Sequence, residues 1–256
     1  MKKWVAFLLS AVLLLLAAAG CGGTAGQSPT ADQSHAEDKA PSIENLENQS
    51  VPPSEGESAP DAKGAVSSEP ETPRILIAYF TWADNTVVEN PDAVDVDATT
   101  SASVLVPGNA AKIAGWIQEE VGGDLFSIVV SEPYSSDYDE CLDRAADEKA
   151  DNARPELASH VSGMEDYDIV FLGFPNWWYT LPMAVLSFVE EYDFSGKTIV
   201  PFYTHGTGGL ANTIQDLTAA LPADAVILDP IGVYRPEVDS SRPAVQEWLA
   251  GLNLDI

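Results

Sequence analysis

The chain has 256 residues, 45% of them hydrophobic, and sets 12 Lys and Arg against 40 Asp and Glu for a formal net charge of −28. That excess of carboxylates excludes nucleic acid as a partner, because such binding needs cationic surface to displace counterions. It equally excludes docking on an anionic bilayer by charge.

The N-terminus reads Met1-Lys2-Lys3, then an apolar run from Trp4 to Ala19, then Gly20-Cys21. A basic start, an apolar stretch and a small-residue cleavage site make a secretory signal. The run is shorter than the roughly 20 residues a spanning helix needs. Its end, Leu16-Ala-Ala-Ala-Gly-Cys21, resembles the lipobox of bacterial lipoproteins. The resemblance implies that residues 1–21 are a leader and that Cys21 is lipidated, tethering the protein to the outer face of the cell membrane. Cys141 is then left single. Neither an internal disulfide nor a Cys/His metal cluster can be assembled from it and three scattered histidines.

Residues 22–73 are rich in Ser, Glu, Pro, Ala and Asp and contain no aromatic residue. Such a segment buries too little apolar surface to offset the entropy of ordering it, so a flexible linker is expected. As a coil it spans about 40 Å root-mean-square.

From 74 to 256 apolar runs alternate with helical stripes. Ile75–Phe80 reads as a strand buried on both faces. Ala110, Ile113, Ala114, Ile117 and Val121 fall at helical spacing, stopped by Gly122-Gly123. Leu125–Val130 is the second strand. Tyr138, Cys141, Leu142 and Ala145 give a helix, with Cys141 a small apolar member of its stripe. Ile169–Phe174 is the third strand, and Pro182, Val185, Leu186 and Val189 mark the next helix, with Pro182 in its first turn. Thr198–Tyr203 is the fourth strand, and Leu210, Ile214, Leu217 and Leu221 the stripe after it. The fifth strand covers Ala225–Leu228 and extends toward Tyr234. Val245, Trp248, Leu249 and Leu252 form a last helix starting near Ser240-Ser241. Five strands alternating with helices predict one doubly wound α/β domain, a sheet of five parallel strands with helices on both faces. Ligands of such sheets bind beyond the carboxyl ends of the strands. The loops after Phe80, Phe174 and Tyr203 therefore matter.

The first of these admits more than one reading. Phe80-Thr81-Trp82-Ala83-Asp84-Asn85-Thr86 has the look of a phosphate loop, yet Val87–Ala98 holds Pro91 and four acids without a helical stripe, so no helix is expected there. Pro107-Gly108-Asn109-Ala110 does open onto a helix, whose N-terminus suits a phosphate. The loop is then split: Thr81 leaves the strand, residues 83–107 are inserted, and Gly108-Asn109 resumes the cradle. Two alternatives stand beside this: a phosphate placed on Asp84-Asn85-Thr86, and a plain helix start with Asn109 as N-cap.

Taken together, Phe80-Thr-Trp82, Pro107-Gly-Asn-Ala110, Gly173-Phe-Pro-Asn-Trp-Trp-Tyr-Thr-Leu-Pro182 and Thr204-His-Gly-Thr-Gly-Gly209 resemble the flavodoxin-like FMN proteins. Glu132-Pro-Tyr134 and Asn152-Ala-Arg-Pro-Glu156 also recur in bacterial members of that group. The resemblance spans the whole domain and implies FMN as cofactor. It places the phosphate at Thr81, Gly108, Asn109 and Ala110, held by hydroxyls and backbone N–H without a basic side chain, and adds Trp82 as a cofactor-binding residue. Pro107 and Ala110 depart from the pattern by lacking hydroxyls, which either lowers phosphate affinity or leaves Thr99, Thr100, Ser101 or Ser103 to fold back in their stead. Pro175, Asn176, Trp177, Trp178 and Tyr179 would line the flavin. One tryptophan would pack on the core, since adjacent side chains rarely face one ligand. Thr204, His205, Gly206, Gly208 and Gly209 would line its pyrimidine edge. His205 is the candidate catalytic residue, able to stabilise charge arriving on reduction; its alternative is a merely exposed loop histidine. The function implied is electron transfer, as a reductase or as a carrier, with a redox partner or small-molecule acceptor. The competing reading is a non-catalytic ligand-binding lipoprotein on the same scaffold.

Overall fold

A computed structural model describes residues 72–254. The leader with Cys21 and the linker up to residue 71 lie outside the described residues.

The sheet is built from β1 (Ile75–Tyr79), β2 (Asp124–Ser127), β3 (Ile169–Pro175), β4 (Thr198–His205), β5 (Val226–Ile227) and β6 (Ile231–Tyr234). All pairings are parallel, in the order β2-β1-β3-β4-β5, with β6 also on β4. The helices are α1 (Val96–Ala102), α2 (Asn109–Val121), α3 (Tyr138–Ala150), α4 (Met183–Glu191), α5 (Thr213–Ala220) and α6 (Arg242–Gly251). The doubly wound α/β fold expected from the alternating pattern is present.

Strand periodicity of two divides the core. Leu76, Ala78, Val170 and Leu172 point to one face and pack with Ala184, Val185, Phe188 and Leu217. Ile75, Ile77, Ile169 and Phe171 point to the other and pack with Ile113, Ile117 and Val245.

Three elements differ from their sequence-based expectation. The fifth strand is interrupted: β5 pairs with Thr198-Ile199 and β6 with Phe202–His205. Between them sit Asp229-Pro230, and a proline has no N–H for a ladder. The second strand stops at Ser127, because the buried Asn85 carboxamide takes over its continuation. Asn85 Nδ2 donates to Ile128 O at 2.9 Å, and Asn85 Oδ1 accepts from Val130 N at 2.8 Å. Lastly, the insertion is not helix-free, since α1 starts at Val96. Asp95 caps it, Oδ1 accepting from Asp97 N at 2.6 Å, and Ala98 is fully buried. A cap and one buried methyl leave no apolar stripe to read.

Candidate functional site

The carboxyl ends of β3 and β4 carry two loops that act as one piece. Asn176 N donates to Thr204 O at 2.7 Å, and its Nδ2 donates to Gly209 O at 2.8 Å and Thr213 Oγ1 at 3.1 Å. Asn212 N donates back to Tyr179 O at 3.1 Å, and Thr180 Oγ1 to Asp216 Oδ2 at 2.5 Å.

Within the first of these loops, Trp177 and Thr180 exchange backbone hydrogen bonds of 2.9 and 3.0 Å across a two-residue turn. Its central residues, Trp178 and Tyr179, have φ of 49° and 67°. Positive φ at both positions is the sign of a type I′ turn, which normally takes Asn-Gly. Two aromatics in the left-handed region cost on the order of 1–2 kcal/mol each. The turn is held from outside: Lys149 Nζ donates to Trp178 O at 2.5 Å, and Trp178 Nε1 to Leu142 O at 3.0 Å. The three aromatics therefore differ in role. Trp177 packs edge-on against Phe80 and Tyr134, with both centroids at 5.3 Å, while Trp178 and Tyr179 are 41% and 61% exposed.

These loops border a cavity of ≈ 270 Å³. Of the residues expected at the site, Trp82, Asn109, Pro175, Asn176, Trp177, Trp178, Tyr179, Thr204, His205, Gly206, Gly208 and Gly209 line it. Thr81, Gly108 and Ala110 are buried and are not among its lining residues. Trp82 is itself 1% exposed, its Nε1 donating to Ser135 O at 3.0 Å, so that it contributes little more than an edge.

The two halves of the interrupted first loop do meet. A Cβ on Gly108 would sit 2.7 Å from Thr81 Cβ and Oγ1, so only glycine admits the threonine there. Thr81 Oγ1 accepts from Asp84 N at 3.1 Å. Ser103, from the insertion, folds back, its Oγ accepting from Asn109 N at 3.0 Å. The N-cap position is Gly108 rather than Asn109, which begins α2. The alternative phosphate ligand, Asn85, is 1% exposed and committed to Thr81 O, Ile128 O and Val130 N.

Sequence reading missed six lining residues. Tyr138, Cys141, Leu142 and Ala145 form one face of α3, a stripe legible in the sequence but indistinguishable there from core. Burial pushes the Cys141 thiol up to about 12, so it stays protonated at neutral pH. Thr207 and Arg235 complete the wall. Arg235 carried no signal, because its placement depends on how β6 ends against β4.

Of the recurring motifs outside the loops, Glu132-Pro-Tyr134 braces this wall through α3, and Asn152–Glu156 ties the segment after α3 to α4. Tyr134 OH donates to Glu148 Oε2 at 2.8 Å, and the Arg144 guanidinium lies 4.0 Å from the Tyr134 ring centroid. Burial, then the Glu148 charge, pushes the Tyr134 phenol up. Arg154 grips Glu190 through two nitrogens at 2.8 and 2.6 Å.

Comparison with known proteins sets this arrangement among relatives. Residues 98–250 match the family model described as Flavodoxin, a span that leaves out β1 and the loop after it. No curated protein matches the chain. A crystal structure from Bacteroides eggerthii, of a protein assigned as a flavoprotein, is 26% identical with a TM-score of 0.55, covering 72% of this chain and 100% of that one. A second, from Bacteroides uniformis and likewise assigned, is 24% identical with a TM-score of 0.51, covering 70% and 98%. A flavoprotein from Lactobacillus acidophilus, solved in complex with FMN, is 18% identical with a TM-score of 0.46, covering 66% and 98%. With more than half its length matched by the family model, and with the sheet order and strand-end cavity described above, the chain belongs to the flavodoxin family.

Proposed function

We propose that this protein binds FMN in the ≈ 270 Å³ cavity and transfers electrons through it, as a reductase or a carrier, while tethered by Cys21 outside the cell membrane. The observation that carries the reading is the cavity itself. Its walls are an aromatic turn held at positive φ and a glycine-rich loop, welded to each other at the ends of β3 and β4. The donor set fits the group. Trp178 and Tyr179 offer exposed rings on which an isoalloxazine can stack, worth about 0.5–1.5 kcal/mol beyond area burial. Gly206, Gly208 and Gly209 would let backbone approach its polar edge, and Asn109 stands at the start of α2, where a phosphate is favoured.

When bound, FMN supplies the centre that takes up and gives out electrons; the protein supplies binding, orientation and electrostatics. Asn176 fixes the glycine loop against the aromatic turn. His205 Nδ1 lies 2.8 Å from Gly206 O, and because a carbonyl oxygen only accepts, Nδ1 carries the hydrogen and the second ring nitrogen is left as a hydrogen-bonding group. The wall from α3 shields one side of the cavity from water.

The test is an equilibrium titration of the purified protein with FMN, read by quenching of flavin fluorescence. Binding with quenching is expected, and FAD is expected to bind no better. Folded protein that leaves FMN fluorescence unchanged at micromolar concentration would remove the electron-transfer reading and leave the non-catalytic one.

A further inference from the structure

In a domain where residues 74–256 hold 8 Lys and Arg against 30 Asp and Glu, a guanidinium in the cavity wall is unexpected. Arg235 is the arginine among the lining residues. It packs directly on the glycine loop. A Cβ on Gly206 would lie 3.0 Å from Arg235 Cζ and within 3.3 Å of both terminal nitrogens. Its place is set from two sides. Tyr234, just before it, pairs with His205 in the sheet, and the rings of those two lie 6.0 Å apart. Asp239, one turn beyond, holds Lys112 of α2 at 2.7 Å.

Resting on the FMN reading above, we propose that Arg235 is the counter-charge for the negative charge that the flavin ring gains on reduction. The ring, rather than the phosphate, is favoured by the guanidinium's seat on Gly206, in the loop expected at the ring's pyrimidine edge. Arg235 leaves β6, which neighbours β4, whereas Thr81 leaves β1 on the far side of β3. Three strand spacings of about 4.8 Å separate their backbones by roughly 14 Å. The guanidinium, seated on Gly206, stands at the β4 loop rather than at Thr81. Reduction by two electrons with uptake of one proton from solvent leaves the ring with one added negative charge. An adjacent cation favours that state, and in a domain this acidic few other groups offset its repulsion.

The experiment uses the whole chain in detergent, saturated with FMN and titrated with dithionite, which is oxidised to sulfite as it delivers the electrons. Arg235→Gln is expected to weaken binding of reduced FMN at least tenfold more than oxidised FMN, read as a fall in two-electron potential of about 30 mV per tenfold. Arg235→Lys should restore most of the potential, and oxidised FMN and riboflavin should lose affinity by the same small factor. An unchanged potential in a folded Arg235→Gln protein overturns the proposal. So does loss of FMN affinity with riboflavin spared, which would assign the arginine to the phosphate. Gly206→Ala displaces the guanidinium by an independent route and should also lower the potential; if Arg235→Gln does not fold, an unchanged potential here is decisive against the proposal. Wild-type protein that binds no FMN defeats the functional reading itself, and is distinguished by failing before any variant is made.

Discussion

Asn85 and Asn109 show how one residue type serves two ends within one loop region. Asn85 spends its carboxamide on three buried backbone groups, and its removal leaves them without partners. Asn85→Ala should therefore cost on the order of 2–4 kcal/mol, read as a lower urea midpoint, with FMN and riboflavin affected alike. Asn109 lines the cavity, and its backbone N–H is already capped by Ser103. Asn109→Ala should leave the midpoint nearly unchanged while weakening FMN more than riboflavin. The reverse pattern would put the phosphate on the Asp84-Asn85-Thr86 stretch.

Between elements, the segment joining α3 to β3 is fastened to α4 by Arg154 and Glu190. Hydrogen bonding from Arg154 holds the Glu190 carboxyl below its ordinary range. A carboxylate whose folded pKa is depressed stabilises the fold above its unfolded pKa, and that contribution is lost as pH falls through the folded value. The pair is partly exposed, so about 1 kcal/mol or less is at stake. Arg154→Ala should thus be slightly less stable than wild type at about pH 7, and the pH-dependent part of the gap should close by about pH 3. A gap constant across that range in urea unfolding would show that Arg154 acts only through its contacts with Asn152 O and Ala153 O.

At the scale of the whole molecule, the carboxylate excess leaves little for a membrane surface to attract, so the proposed membrane residence rests on the lipid proposed at Cys21. Among the described residues no helix is long and apolar enough to cross a bilayer. Cys21→Ala should move the protein from the membrane fraction to the soluble one on fractionation. Mature protein that stays with membranes would count against the anchor. Lys2-Lys3 rather than twin arginine precedes the apolar segment, so export is expected through the general secretory route, with the cofactor acquired outside.

The sequence alone determined what depends on pattern and on local chemistry. Apolar runs and helical stripes specify the alternation of β and α, because burial on both faces of a parallel sheet leaves no other use for runs such as Ile169–Phe174. Connections in such a fold place the loops after β1, β3 and β4 at one edge, so most of the cavity's wall could be named from their motifs. Tertiary structure alone decided the rest. Asn85 ends a strand by bonding a residue 43 positions further along the chain, Ser103 caps a helix from six positions before its first residue, and Arg235 reaches Gly206 because β6 is laid on β4. Each of these depends on a contact between segments whose separation along the chain carries no periodic signal. The positive φ at Trp178 and Tyr179 was hidden for a related reason: local propensity disfavours it, and it persists because Lys149 and Asn212 donate to the turn's carbonyls and the Trp178 indole donates to Leu142 O.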